Sequence, residues 1–200
     1  MFVMKNFLIL LIFLFSVDSF AGYKQAIDYY NKKQFRQSIV EFKKVAKNEK
    51  LDQGERNNSM YNLAVIYDNG VGIPTNKKEA LKWYKLASDN NHKIAQFNLG
   101  WIYYHGENIE KDNFEAFKYY KKSATQGYNK AQFNLAILHF SGEGTIKDYV
   151  RAYKWFKISS INGIKESSNF IQKVKSLLHP EELEKSEEMI KRWIAEKQRN

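Results

Sequence analysis

Along residues 59–166 the apolar positions recur three and four residues apart rather than alternating, which is the spacing of amphipathic helices and not of strands. Between residues 95 and 106, positions 95, 99, 102, 103 and 106 fall within about 100 degrees of one another on a helix and predict a core stripe. Phe97, Trp101 and Tyr104 gather on the opposite side of the same helix. A helix apolar on two faces is either sandwiched between neighbours or exposes one of them. The helical stretch before it turns Ala80, Trp83, Tyr84 and Ala87 inward and sets lysines on its outer side.

The pattern repeats. Ser59 to Tyr67, Ala95 to Tyr103 and Ala131 to His139 align without a gap at offsets of 36 residues, with Asn62-Leu63, Asn98-Leu99 and Asn134-Leu135 in register. Ala80, Ala116 and Ala152 are followed three and four residues later by Trp83-Tyr84, Tyr119-Tyr120 and Trp155-Phe156. Between these halves lie Gly70 and Gly72, Gly106 and Asn108, and Gly142 and Gly144, and after them Asn76, Asp112 and Asp148. That order reads as a helix stop followed by a helix N-cap, and Asn108 fits because asparagine tolerates left-handed backbone. Glu79 and Glu115, three residues after Asn76 and Asp112, suggest capping boxes in which each carboxylate returns to the cap residue's own N–H. Residues 59–166 therefore predict three units of helix A, glycine turn and helix B.

Residues 22–58 predict one further helical pair and a polar linker. Ala26, Tyr29 and Tyr30 precede a turn at Asn31 to Gln34; Ser38, Ile39, Phe42, Val45 and Ala46 then keep helical spacing, and polar residues 47–58 read as a loosely ordered link. Residues 167–200 predict two capping helices. The first runs from Ser167 into Leu177-Leu178, and the second opens at His179-Pro180-Glu181-Glu182, with acids at the positive end of the helix dipole. Leu183, Met189, Ile190, Trp193 and Ile194 of that last helix are expected to cover the open end of the stack. Residues 1–21 have the order of a cleavable signal peptide: Lys5, the apolar run Phe7 to Phe15, then small Ser19 and Ala21 at the −3 and −1 positions. Export to the periplasm or beyond, with a mature N-terminus at Gly22, is the expectation.

Composition narrows the chemistry. An aromatic share of 16% excludes a disordered chain. The absence of cysteine excludes disulfides, thiolate zinc sites and cysteine nucleophiles. His92, His105, His139 and His179 show no metal-ligand spacing, and no Gly-x-Ser-x-Gly, Ser-xx-Lys or phosphate-loop pattern occurs. No catalytic residue, metal or cofactor is predicted. The excess of 32 Lys+Arg over 22 Asp+Glu gives a formal charge of +10, and in an exported protein cytoplasmic nucleic acid is not the expected partner for it. Helix B collects part of this charge in two ladders, Lys82, Lys118, Lys154 and Lys85, Lys121, Lys157. Such a basic convex ridge either touches an anionic envelope surface weakly or keeps an aromatic-rich solenoid soluble.

These repeats resemble the Sel1-like repeat family, the longer-looped relatives of tetratricopeptide repeats. The resemblance rests on Ala-xxx-Leu-Gly-xx-Tyr-xx-Gly and Ala-xx-Trp-Tyr-xx-Ala motifs, with His139 standing where tyrosine is usual. It implies an all-α fold, a right-handed superhelical solenoid of antiparallel helix pairs, used as a scaffold for protein partners. In the related tetratricopeptide fold the second apolar face of helix A lines a concave groove. By that likeness Tyr61, Phe97, Trp101, Tyr104, Phe133, Ile137 and Phe140 are the protein-binding candidates, unless neighbouring helices bury them. The resulting expectation is an exported, monomeric, non-enzymatic adaptor in the bacterial envelope or at a host interface. The alternatives are a cell-wall or β-lactam-directed enzyme of the cysteine-rich Sel1-repeat type, whose disulfides this chain lacks, and a peripheral binder of anionic envelope surfaces.

Overall fold

The computed structural model describes residues 22–199, so the expected signal peptide at residues 1–21 lies outside the described residues. The chain divides into two compact units at His92 and Lys93. The first holds α1 over residues 22–31, α2 (Phe35–Lys47), α3 (Gln53–Asn69) and α4 (Lys77–Asp89). The second holds α5 (Lys93–His105), α6 (Asn113–Thr125), α7 (Asn129–Ser141), α8 (Tyr149–Ile161), α9 (Ser167–Lys175) and α10 (Pro180–Arg199). No strand occurs among the described residues.

In the first unit α2 packs on α3 and α3 on α4. Ala26, Phe42, Leu63, Ala64, Ile66, Ala80, Tyr84 and Ala87 are almost fully buried between them. The Ser38 hydroxyl donates to the Ala26 carbonyl at 2.8 Å and ties α2 to α1. The polar stretch after Lys47 is shorter than its composition suggests. Asp52 accepts from the N–H groups of Gly54 and Glu55, and this cap starts α3 at Gln53, so residues 53–58 are helical.

In the second unit α5 packs on α6, α6 on α7, α7 on α8, and α8 on both α9 and α10. Small residues set the spacing: a Cβ on Gly100 of α5 would stand 2.6 Å from the Tyr120 ring, so the helices approach this closely only with glycine there. The buried glutamines are satisfied within their own repeats, by the residue that ends helix B. Gln126 donates to Gln96 at 2.7 Å and Asn162 to Gln132 at 2.8 Å. These bonds remove the cost of burying Gln96 and Gln132. Helix α9 ends at Lys175, short of Leu177 and Leu178. Helix α10 is fixed on α8 by Tyr153 donating to Glu187 at 2.8 Å, Ser186 donating to the Val150 carbonyl at 3.0 Å, and Trp193 set edge-on to Trp155.

The inter-helix turns follow one design. Gly70, Gly106 and Gly142 end the A helices in left-handed backbone, and Asn108 adopts φ 61° where the other turns carry glycine. Gly144 is further constrained by contact: a Cβ there would meet the Asn113 carbonyl oxygen at 1.9 Å, because the turn lies against the first residues of α6. The N-caps are Asn76, Asp112 and Asp148. The expected capping boxes do not close. The N–H groups of Asn76, Asp112 and Asp148 donate instead to the carbonyls of Tyr67, Tyr103 and His139 at 2.8, 2.9 and 2.8 Å. With that N–H already satisfied, Glu79 turns outward to accept from Lys82 and the Trp83 indole, and Glu115 accepts from Lys118.

Candidate docking cleft

The second face of helix A does not act as one continuous strip, because four of its aromatics are held in packing. Tyr61 stacks on His92 at 4.6 Å. Phe97 lies edge-on to Tyr128 at 5.1 Å and close to Tyr120. Phe133 and Phe140 converge on Phe170 of α9, which itself stacks on Phe156 at 4.9 Å. Apolar rings gain more from such mutual burial than from solvent, so these four are half-buried walls rather than open anchors.

The other three candidates meet at a cleft of about 160 Å³ between α5, α6 and α7. Trp101, Tyr104 and Ile137 line it with His105, Tyr120, Asn134 and Leu138. Tyr120 and Leu138 are 1% exposed and form the floor, whereas Trp101 remains 40% exposed with its ring 4.4 Å from that of His105. Burial pushes the Tyr120 hydroxyl well above the usual tyrosine range and opposes its ionisation; a hydrogen bond to Asn134 pulls the other way. Desolvation also raises Tyr104, whose hydroxyl bonds to the Glu143 carboxylate. Both phenols therefore stay neutral at physiological pH. The cleft can bury an apolar group and offers an amide and hydroxyls beside it.

Tyr120, Asn134, His105 and Leu138 are not among the candidates read from the sequence. Asn134 carries a signal, since asparagine recurs at positions 62, 98 and 134. The first unit holds a counterpart cleft of about 160 Å³, lined by Ile27, Tyr30, Phe42, Asn62, Val65 and Ile66. Asn62, Val65 and Ile66 are the residues two repeats before Asn134, Ile137 and Leu138, so the position is built twice on the same part of helix A.

The lysine ladders are interrupted. Lys82 and Lys118 are exposed and ion-paired at 3.0 and 2.9 Å with Glu79 and Glu115, and Lys85 and Lys121 are exposed. In the third repeat α10 covers this side of α8. Lys154 and Lys157 are half-buried. Burial lowers the Lys154 pKa while its ammonium sits 4.9 Å over the Trp155 ring. The residue three before Lys154 is Arg151, where the other repeats have an acid. Among the described residues no group of three His, Asp or Glu side chains could hold a metal ion, and no helix is long and apolar enough to cross a membrane.

Tandem helix pairs of this length, with glycine turns and caps in a 36-residue register, define a helical-repeat scaffold. The chain belongs to the Sel1 repeat family, whose repeats match residues 57–92, 93–128 and 129–163. A Sel1 repeat protein from Oxalobacter formigenes is similar at 28% identity and a TM-score of 0.65, over 74% of this chain and 58% of that one. A protective antigen of uropathogenic Escherichia coli strains displaying an SLR fold is similar at 23% identity and a TM-score of 0.56, over 88% of this chain and 45% of that one. The chain thus spans about half the length of these two proteins, and the second likeness shows the fold alone. No curated protein sequence matches the chain. Sel1 repeats generally mediate protein–protein interaction and are generally non-catalytic.

Proposed function

We propose that this chain is an exported, monomeric adaptor that holds a protein partner in the bacterial envelope or at a host interface, and that it performs no chemistry of its own. The observation that carries this reading is the cleft at Trp101, Tyr104 and Ile137. It is a part of the second helix A face that the fold leaves open, and a half-exposed tryptophan beside a pocket is the kind of residue that dominates binding energy. The signal-like order of residues 1–21 supports export.

A photo-crosslinking side chain placed at position 101 in the native cell tests the docking reading, with the same side chain at position 82 on the lysine face as the comparison. A partner crosslinked at 101 and not at 82 is the expected result. Crosslinks confined to 82 would move the working surface to the lysines. The intact mass of the processed protein tests export: it should begin at Gly22, and a chain that keeps Met1 in carbonate-washed membranes would make residues 1–21 an anchor instead.

A further inference from the structure

We propose that the cleft between α5, α6 and α7 takes one bulky apolar side chain from an acidic linear segment of another protein, and that Lys111 and Lys173 receive the carboxylates flanking it. This rests on the docking reading and specifies its partner. The volume argues for a side chain: small-molecule pockets are on the order of 300–1,000 Å³, whereas this one is about 160 Å³. The lining argues for an apolar one, since the floor is Tyr120 and Leu138 and the walls are Trp101, Tyr104 and Ile137.

The charge around the cleft argues for acids. The Lys111 ammonium lies 5.1 Å over the Tyr104 ring, and the Lys173 ammonium 5.2 Å over the ring of Phe140, one turn beyond Ile137 on α7. Among the described residues neither ammonium is ion-paired with a carboxylate, in contrast to Lys118 on the helix B face. The carboxylate bonded to a residue of the cleft is Glu143, and it already accepts from the Tyr104 hydroxyl and from Asn113 at 3.3 Å. The unit itself carries 18 Lys and Arg against 13 Asp and Glu between residues 93 and 199. Two unpaired ammonium groups held on aromatic rings, Lys111 over a wall of the cleft and Lys173 over Phe140 one helical turn outside its lining, complement a segment in which Asp or Glu stands on either side of a Leu or Phe.

The test uses the purified exported chain and fluorescein-labelled peptides of twelve residues, read by anisotropy. One peptide has a central Leu flanked by Asp and Glu, the second replaces Leu with Ala, and the third replaces the acids with Lys. The first should bind, and more tightly as salt is lowered; the other two should be at least about tenfold weaker. Ile137→Arg should abolish binding. Lys111→Glu with Lys173→Glu should reverse the preference toward the basic peptide. Circular dichroism checks that each variant folds, and Trp101→Ala, at an exposed position, replaces Ile137→Arg if that chain does not. Equal affinity for the acidic and basic peptides, equal affinity for Leu and Ala, no binding at millimolar peptide, or binding that survives both Ile137→Arg and Trp101→Ala would each overturn the proposal. If position 101 crosslinks a partner in the cell while the peptides show no acidic preference, docking stands and this proposal alone falls.

Discussion

His139 gives the structure a measurable dependence on acid. Its ring is 6% exposed, edge-on to Phe117 at 5.3 Å, and Nδ1 has no hydrogen-bond partner. Burial pushes its pKa from 6.5 down to about 4, against the attraction of Asp148 and with added repulsion from Arg151 and Lys121. In the unfolded chain the imidazole takes a proton as pH falls through about 6.5, whereas the folded chain takes it only near 4. Between those values the unfolded state binds more protons, so the contribution is fully present above about pH 6.5 and lost as pH falls to about 4. At about 1.4 kcal/mol per pH unit the gap corresponds to about 3 kcal/mol. His139→Phe keeps the contact with Phe117 and removes both the titration and the unpaired nitrogen. Urea unfolding at pH 7.5, 5.5 and 4.0, followed by tryptophan emission, reads this unit well because Trp101, Trp155 and Trp193 lie in it. The wild type should lose about 3 kcal/mol more than His139→Phe on going from pH 7.5 to 4.0, since Asp148, Arg151 and Lys121 are common to both proteins. Parallel pH profiles for the two would refute the reasoning.

Other substitutions test the packing. Leu99→Ala, at a site that is fully buried, should cost about 2–5 kcal/mol in denaturant melts. Lys118→Ala, exposed on α6, should change stability by no more than about 0.5 kcal/mol. Gly144→Ala and Gly127→Ala both meet the left-handed backbone penalty, about 1 to about 2 kcal/mol. Only Gly144 has a carbonyl where the Cβ would stand. Thermal melts should therefore place Gly144→Ala clearly below Gly127→Ala, and equal melting temperatures would show that the turn can move away from α6. Asn76→Ala removes the acceptor for the Glu79 N–H and should cost about 1 kcal/mol by urea titration.

The periodic features of the fold are legible in the sequence because each rests on a residue type that only one local geometry favours. Glycine or asparagine after an A helix, an Asx cap before a B helix and alanine at the helix contacts each imply a backbone state or a close approach. The capping boxes are not legible, because the Asx-xx-Glu spacing is silent about a competing acceptor. The Tyr67 and Tyr103 carbonyls, nine residues upstream, reach the cap N–H first. The start of α3 escapes a reading by composition for a related reason: residues 53–58 are polar, and the Asp52 cap together with the partial burial of Glu55, Arg56 and Asn57 outweighs that polarity.

The candidate site is legible in kind and not in extent, since equivalent positions meet different neighbours. Tyr104 and Phe140 are the same position in successive repeats, yet Phe140 is closed over by Tyr149 and Phe170 while Tyr104 borders the cleft. The difference comes from α9, whose Phe170 fills the space between Phe133, Phe140 and Phe156. In a helical repeat each position takes its environment from the helices on either side, so one pattern yields packing aromatics beside the terminal helices and an open cleft between α5, α6 and α7. Lys154 follows the same rule on the other face, where α10 buries a lysine whose equivalents at 82 and 118 remain exposed. The two clefts, at Asn62 and at Asn134, lie two repeats apart on the same part of helix A, and in each the preceding helices supply the facing wall: α1 and α2 at Asn62, α5 and α6 at Asn134.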